Sequence, residues 1–291
     1  MATLRDIRRK IAAVRKTQQI TRAMNMVASA KLRGAQERMV AFRPYAEKYA
    51  EVMRSVAQRV EADAHPLLVR REVKKVGMLL VTSDRGLCGS FNTNLIARAE
   101  KEMKARVAQG QQVCFFAVGR KGRDYFRRRK AEVRGSYVDN RKITYDLAAR
   151  VAEDLITSYV QEELDEVFLV YSRFINLAVQ RPALEGLLPF VPAEAAKEGG
   201  SASSAVDYLY EPEPHILLEA ILPEQIRVQV YHALLETNTS EQAARMTAMD
   251  NATRNCKEMI DRLTLVYNKA RQASITKELM DIVGGAEALK K

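Results

Sequence analysis

Residues 240–285 constrain the fold more than any other stretch of the chain. They contain no Pro, and no Gly before the Gly284–Gly285 pair that ends them. Within them Met249, Ala252, Cys256, Met259, Leu263, Val266, Ala270 and Ala273 recur in 3-4-3-4-3-4-3 spacing. A heptad period keeps its apolar seam on one side only if a second helix wraps around it. The segment therefore predicts a helical partner, and the other end of the chain supplies one. Leu4, Ile7, Ile11 and Val14 step 3-4-3, and the register continues through Gln18, Thr21 and Asn25 to Ala28, Leu32 and Ala35. Residues 2–43 hold one Gly and no Pro until Pro44, so neither helix meets an early breaker. A helix from about Pro223 to Val283 would be roughly 90 Å long at 1.5 Å per residue, too long to bury in a domain of this size, which predicts a projecting rod.

Between these helices the pattern changes. VGMLLVT (76–82), VCFFAV (113–118) and EVFLVY (166–171) are continuous apolar runs. They alternate with helical stretches at about 92–109 and 144–163, which predicts buried parallel strands in βαβ units. Residues 177–190 suggest a further strand interrupted at Pro182, and 193–205 a polar, small-residue loop. The expected fold class is α/β: a long antiparallel coiled coil of the terminal helices with an inserted Rossmann-like α/β domain. The expected division is 1–75 for the first helix, 76–214 for the inserted domain and 215–291 for the second helix.

Composition narrows the function. The 291 residues carry three Cys, far apart, with no CxxC and no metal spacing, which favours a reducing compartment and buried structural thiols. No apolar run near 18 residues and no signal segment is present, which argues against a membrane span or secretion. The net charge of +11 is concentrated at the N-terminus: residues 1–60 carry 14 Lys/Arg against 4 Asp/Glu, and residues 223–291 carry 10 against 9. A basic helix can meet nucleic acid, anionic lipid or an acidic protein groove, or simply be the solvated face of a coiled coil. Arg5, Arg8, Arg9, Lys10, Arg15, Lys16 and Arg22 have no interleaved aromatics, so no base-stacking platform accompanies them.

Two Gly-bearing segments could belong to an enzyme. SDRGLCGSFN (83–92) follows a strand and precedes a helix, where a loop can cradle phosphate, but it matches neither G-x-G-x-x-G nor G-x-x-x-x-G-K-[ST]. GRKGRDYF (119–126) ends a strand. Both read as tight structural turns. His65, His215 and His232 are isolated, and no Ser/His/Asp or paired-carboxylate constellation stands out, so no catalytic, cofactor or metal residue is expected.

Four blocks in order then resemble one family, the gamma subunit of F-type ATP synthase. They are I-R-x-K-I-x-x-V-x-x-T-x-Q-I-T-x-A-M-x-M-V-A over Ile7 to Ala28, D-R-G-L-C-G-S-F-N over Asp84 to Asn92, S-E-x-x-A-R-M-x-A-M-D-x-A-T over Ser240 to Thr253, and Y-N-K-A-R-Q-A-x-I-T-x-E-L over Tyr267 to Leu279, running on to I-V-G-G-A-x-A-L at Ile282 to Leu289. The resemblance implies a rotary shaft without a catalytic centre or cofactor. Its terminal helices would pass up a hexamer of alpha and beta subunits. Its inserted domain would stand at the foot near epsilon and the c-ring, with delta elsewhere in the complex. No nucleic acid and no small-molecule substrate would be bound, and proton flow would turn the ring and the shaft together. By the same resemblance Arg245, Gln272, Thr276 and Met24 would contact the beta subunit, with Lys31 and Arg33 further along the first helix. Ile275, Leu279, Ile282 and Val283 would sit in an apical bearing, and Tyr208 and Tyr210 would be foot contacts. The redox-sensing cysteine insertion of chloroplast forms has no counterpart at 193–206. No transit segment precedes Leu4, which fits a bacterial source or a processed chain, peripheral on the cytoplasmic face of the inner membrane.

Overall fold

The structure, a computed structural model, describes residues 3–57, 65–139, 142–190 and 214–288. Two compact units divide the chain: Met1–Ser29 with Arg245–Lys291, and Ala30–Ala244. Contacts thus group the inner parts of both long helices with the α/β domain, whereas the expected borders at 75 and 214 followed changes of secondary structure.

Two helices are far longer than the rest: α1, Leu4–Ala57, and the last, Pro214–Ala288. Each runs through a proline, Pro44 in one and Pro223 in the other. An interior proline removes a backbone hydrogen bond at a cost of about 3 kcal/mol. Burial along both helices offsets that cost: α1 buries Met39 before Pro44 and Met53 and Val56 two to three turns after it, and Leu222 and Ile226 flank Pro223.

The second unit is built on five strands, β1 (Lys75–Val81), β2 (Gln112–Val118), β3 (Glu132–Tyr137), β4 (Glu166–Phe174) and β5 (Gln180–Leu188), in the order β3-β2-β1-β4-β5. β1 pairs in parallel with both β2 and β4, β2 in parallel with β3, and β4 antiparallel with β5. The helices between strands are α2 (Phe91–Ala108), α3 (Arg120–Arg128) and α4 (Tyr145–Val160), which makes the long C-terminal helix α5. The apolar runs of β1, β2 and β4 are continuous because both faces of the sheet are covered. On one face Met78, Leu80, Phe115 and Val170 meet Phe91, Leu95 and Phe126 of α2 and α3, with Phe115 stacked on Phe126 at 3.9 Å. On the other, Leu79, Val81, Phe116 and Leu169 meet Val151 and Leu155 of α4, together with Met53 of α1 and Leu222 and Ile226 of α5. Each such fully buried side chain contributes about 1.5–3 kcal/mol.

Pro182 does not interrupt its strand. It lies inside β5, opposite Ser172, on an edge strand whose outer side has no ladder to donate to. β3 and α3 were not anticipated. β3 alternates half-buried and exposed residues at the opposite edge, and α3 buries only Gly122 and Phe126 beneath a run of arginines.

Candidate interaction surfaces and the closed phosphate loop

In the unit of Met1–Ser29 with Arg245–Lys291 the two helices run antiparallel, and three polar contacts fix their register. Arg8 donates to the Tyr267 hydroxyl at 2.6 Å, the Thr21 and Thr253 hydroxyls meet at 2.8 Å, and Asn25 Nδ2 donates to the Met246 carbonyl at 2.9 Å. As the first number rises the second falls, which only antiparallel packing allows. On α1 the low-exposure line is Leu4, Ile7, Ile11, Val14, Gln18, Thr21, Asn25 and Ala28.

On α5 the corresponding line is Met249, Thr253, Cys256, Ile260, Leu263, Tyr267, Ala270 and Ser274, spaced 4-3-4-3-4-3-4. It corrects the expected seam at every second position. Met259 is 52 % exposed and Val266 50 %, and Ala273 is exposed as well, while Ala252 is half-buried beside Thr253. The apolar alphabet selected Ala252, Met259, Val266 and Ala273 where the fold uses Thr253, Ile260, Tyr267 and Ser274. Cross-helix hydroxyls account for two of these four, Thr253 and Tyr267. Their signal was present in the sequence, since Thr21 and Asn25 already stood in the N-terminal register as polar residues.

The residues singled out by resemblance fall in different surroundings. Arg245 and Met24 are half-buried, whereas Gln272 and Thr276 are exposed. Lys31 and Arg33 are exposed, and Arg33 pairs with Glu37 at 3.1 Å one turn on. Ile275, Leu279, Ile282 and Val283 are 49–68 % exposed and form one stripe at i, i+4, i+7 and i+8, with Met280 beside it at 66 %. Tyr208, Tyr210 and the loop at 193–206 lie outside the described residues.

Charge gathers on this unit. Residues 1–29 hold seven Lys/Arg against one Asp/Glu and residues 245–291 nine against six, a net +9 of the chain's +11. Arg5, Arg8, Arg9, Lys10, Arg15, Lys16 and Arg22 all stand exposed.

The loop between β1 and α2 is tied by its own side chains. Asn92 Oδ1 accepts from the Ser83 backbone N–H at 3.0 Å, and Asn92 Nδ2 donates to Ser83 Oγ at 2.8 Å. The Ser83 hydroxyl donates to the Arg85 carbonyl at 2.6 Å. Asp84 Oδ1 accepts from the Arg120 backbone N–H at 2.9 Å, so a carboxylate of the chain already occupies the first turn of α3, where an anion would otherwise be held. Before it Gly119 takes φ +97°, and a Cβ there would stand 2.1 Å from the Thr82 carbonyl oxygen. A cavity of about 360 Å³ opens nearby at the carboxyl ends of β1 and β2, but its cations Lys31, Arg38 and Lys142 are all solvent-exposed. Among the described residues no three His, Cys, Asp or Glu converge as a metal cage, and no helix is long and apolar enough to cross a membrane.

Comparison with known proteins places this geometry. A family model described as ATP synthase matches residues 3–289. The ATP synthase gamma chain of Syntrophobacter fumaroxidans is 55 % identical over 294 residues, and that of Syntrophus aciditrophicus 52 % identical over 291, each match covering 100 % of both chains. Among solved structures, a chain of the Euglena gracilis mitochondrial ATP synthase superposes with TM-score 0.70 at 22 % identity, covering 98 % of this chain and 94 % of that one. A chain of the Tetrahymena thermophila mitochondrial ATP synthase central stalk and c-ring gives 0.59 at 25 % identity, over 80 % and 99 %.

Proposed function

The chain belongs to the ATP synthase gamma family, the central-stalk subunit of the F-type enzyme, and from that premise we propose that it works as the rotor shaft. It joins the c-ring to the alpha/beta hexamer and has no catalytic centre of its own. Proton flow through the membrane sector turns it, and its rotation drives ATP synthesis or hydrolysis in the beta subunits. Epsilon binds at its foot, and delta belongs to the same complex. It is peripheral to the membrane, on the cytoplasmic face.

The observation that carries this reading is the uncovered apolar stripe Ile275, Leu279, Ile282 and Val283 at the end of a two-helix pair. A stripe of that extent on water marks a surface made for a partner. A ring of apolar side chains around it would act as a bearing, non-directional and therefore the same at every angle. Below the bearing the surface is polar and basic, which attracts acidic neighbours at long range without locking on to them. A shaft can bias three similar sites only by contacting each differently, and a single helix pair inside a threefold cavity does so by its asymmetry. Arg245, Met24, Gln272 and Thr276 are our candidates for that contact with the beta subunits. A guanidinium such as that of Arg245 can hold carboxylates through a planar fork.

The test is reconstitution. The chain alone should show no ATP turnover, and mixed with alpha and beta subunits it should complete a steady-state ATPase. In the assembled complex Arg245→Ala and Gln272→Leu should slow turnover about tenfold or more, the effect of losing a charge-assisted hydrogen bond of roughly 1.5–3 kcal/mol. The isolated variants should melt near the parent. Robust ATPase from the pure chain would overturn the shaft reading. Wild-type turnover by both assembled variants would remove these residues from the contact.

A further inference from the structure

The α/β unit holds a second cavity, of about 400 Å³, between α1, α5 and the β4–β5 face. Its donors and acceptors do not balance. Gln225 is 2 % exposed and its Oε1 accepts no hydrogen bond, and Oε1 of Gln229, one turn along α5, is likewise buried and unanswered. Glu236, 4 % exposed, completes the row. Its Oε2 accepts from the Phe174 backbone N–H at 3.0 Å, but its Oε1 faces Arg43 at 3.9 Å and His232 at 3.6 Å, beyond hydrogen-bond range. The other guanidinium of the cavity, Arg173, is already engaged by Glu185, which also accepts from the Tyr171 hydroxyl at 2.8 Å.

Three acceptor side chains at positions 225, 229 and 236 therefore line one wall, two of them amide oxygens with no donor. Buried acceptors left unanswered cost about 1–3 kcal/mol each, and the deficit is of N–H groups beside a carboxylate. We infer that this cavity binds a small free cation rich in N–H donors, a guanidinium or primary ammonium compound. Its donors would satisfy Gln225 and Gln229, and its charge would lie against Glu236. The volume suits such a molecule. This site is separate from the shaft reading: it lies within the α/β unit and uses none of the residues assigned to contact with the beta subunit.

Agmatine, which carries both groups, is the probe. It would be titrated into the full chain and followed by side-chain amide NMR of the glutamines and by calorimetry. Saturable binding is expected, shifting the Gln225 and Gln229 amide signals, with butanol and acetate producing no such change. Gln225→Leu and, separately, the less buried Gln229→Leu should each weaken agmatine binding tenfold or more. Glu236→Gln should abolish the preference for the cation over a neutral amide such as acetamide. No saturable binding up to about 10 mM would overturn the inference, leaving the cavity to water. So would equal affinity in a folded Gln229→Leu variant, whatever happens to Gln225→Leu. Failure here would leave the reconstituted ATPase untouched, and failure there would leave agmatine binding untouched.

Discussion

At the scale of single residues, the Gly-bearing turn at 119–126 leaves its first glycine no room for a side chain. Gly119 is held at φ +97° against the Thr82 carbonyl, so Gly119→Ala brings both a forbidden backbone and a clash with a main-chain atom that has no room to move. Urea unfolding should register a loss of about 3 kcal/mol or more, or the variant should be recovered only as aggregate. A loss under about 1 kcal/mol would mean that the loop relaxes easily. The thiols make a second residue-scale case. Burial pushes Cys114 up to about 11, from an ordinary value of 9.0. At pH 8 only about 0.1 % of it is thiolate, and it should react with iodoacetamide far more slowly than the half-buried Cys256. Because the folded value is the higher one, the contribution of Cys114 to stability is present below about pH 9. It is lost as the pH climbs through about 11. Peptide mapping of the native chain would check the order of labelling, and equal rates for Cys114 and Cys256 would contradict the burial.

At the scale of elements, the helix pair makes a sharp distinction between neighbours. The register set by Thr21–Thr253 and Arg8–Tyr267 brings Ile11 across from Leu263 and leaves Val266 half exposed. Leu263→Asp should therefore cost about 2–3 kcal/mol of pair stability, and Val266→Asp within about 0.5. Far-ultraviolet dichroism during denaturation would measure both, and equal losses would restore the all-apolar seam. That contrast also shows what could be read from the sequence. β1, β2 and β4 were legible because strands buried on both faces are apolar throughout. β3 was not, because an edge strand reading Glu-Val-Arg-Gly-Ser-Tyr carries no apolar run. α3 was hidden because its inward residue one turn before Phe126 is Gly122, which has no side chain to register as hydrophobic and must come close to Leu80 and Thr82. The seam position at Tyr267 was missed because a cross-helix hydroxyl does the work that a methyl group was expected to do. The contacts proposed for Gln272 and Thr276 rest on family resemblance alone, since an exposed side chain of either kind carries no local mark of a partner.

At the scale of the whole molecule, protection against exchange should follow burial. Amides of β1, β2 and β4, sealed under two apolar layers, should exchange only through global opening. Those of 272–283 on α5, whose side chains are nearly all exposed, should exchange by local fraying orders of magnitude sooner. Hydrogen-exchange mass spectrometry on the isolated chain would show it, and comparable protection in the two segments would imply that something covers the end of α5. The separation of partners along the chain has one more consequence, for synthesis. Arg8 waits for a tyrosine made 259 residues later, which at ordinary ribosomal speed is about 13–50 s. Through that interval the first helix must survive with its mate not yet translated. A stripe of leucines would invite the wrong company. One that passes through Gln18, Thr21 and Asn25, ringed by seven like charges, can stay soluble and unattached until the last of the chain leaves the ribosome.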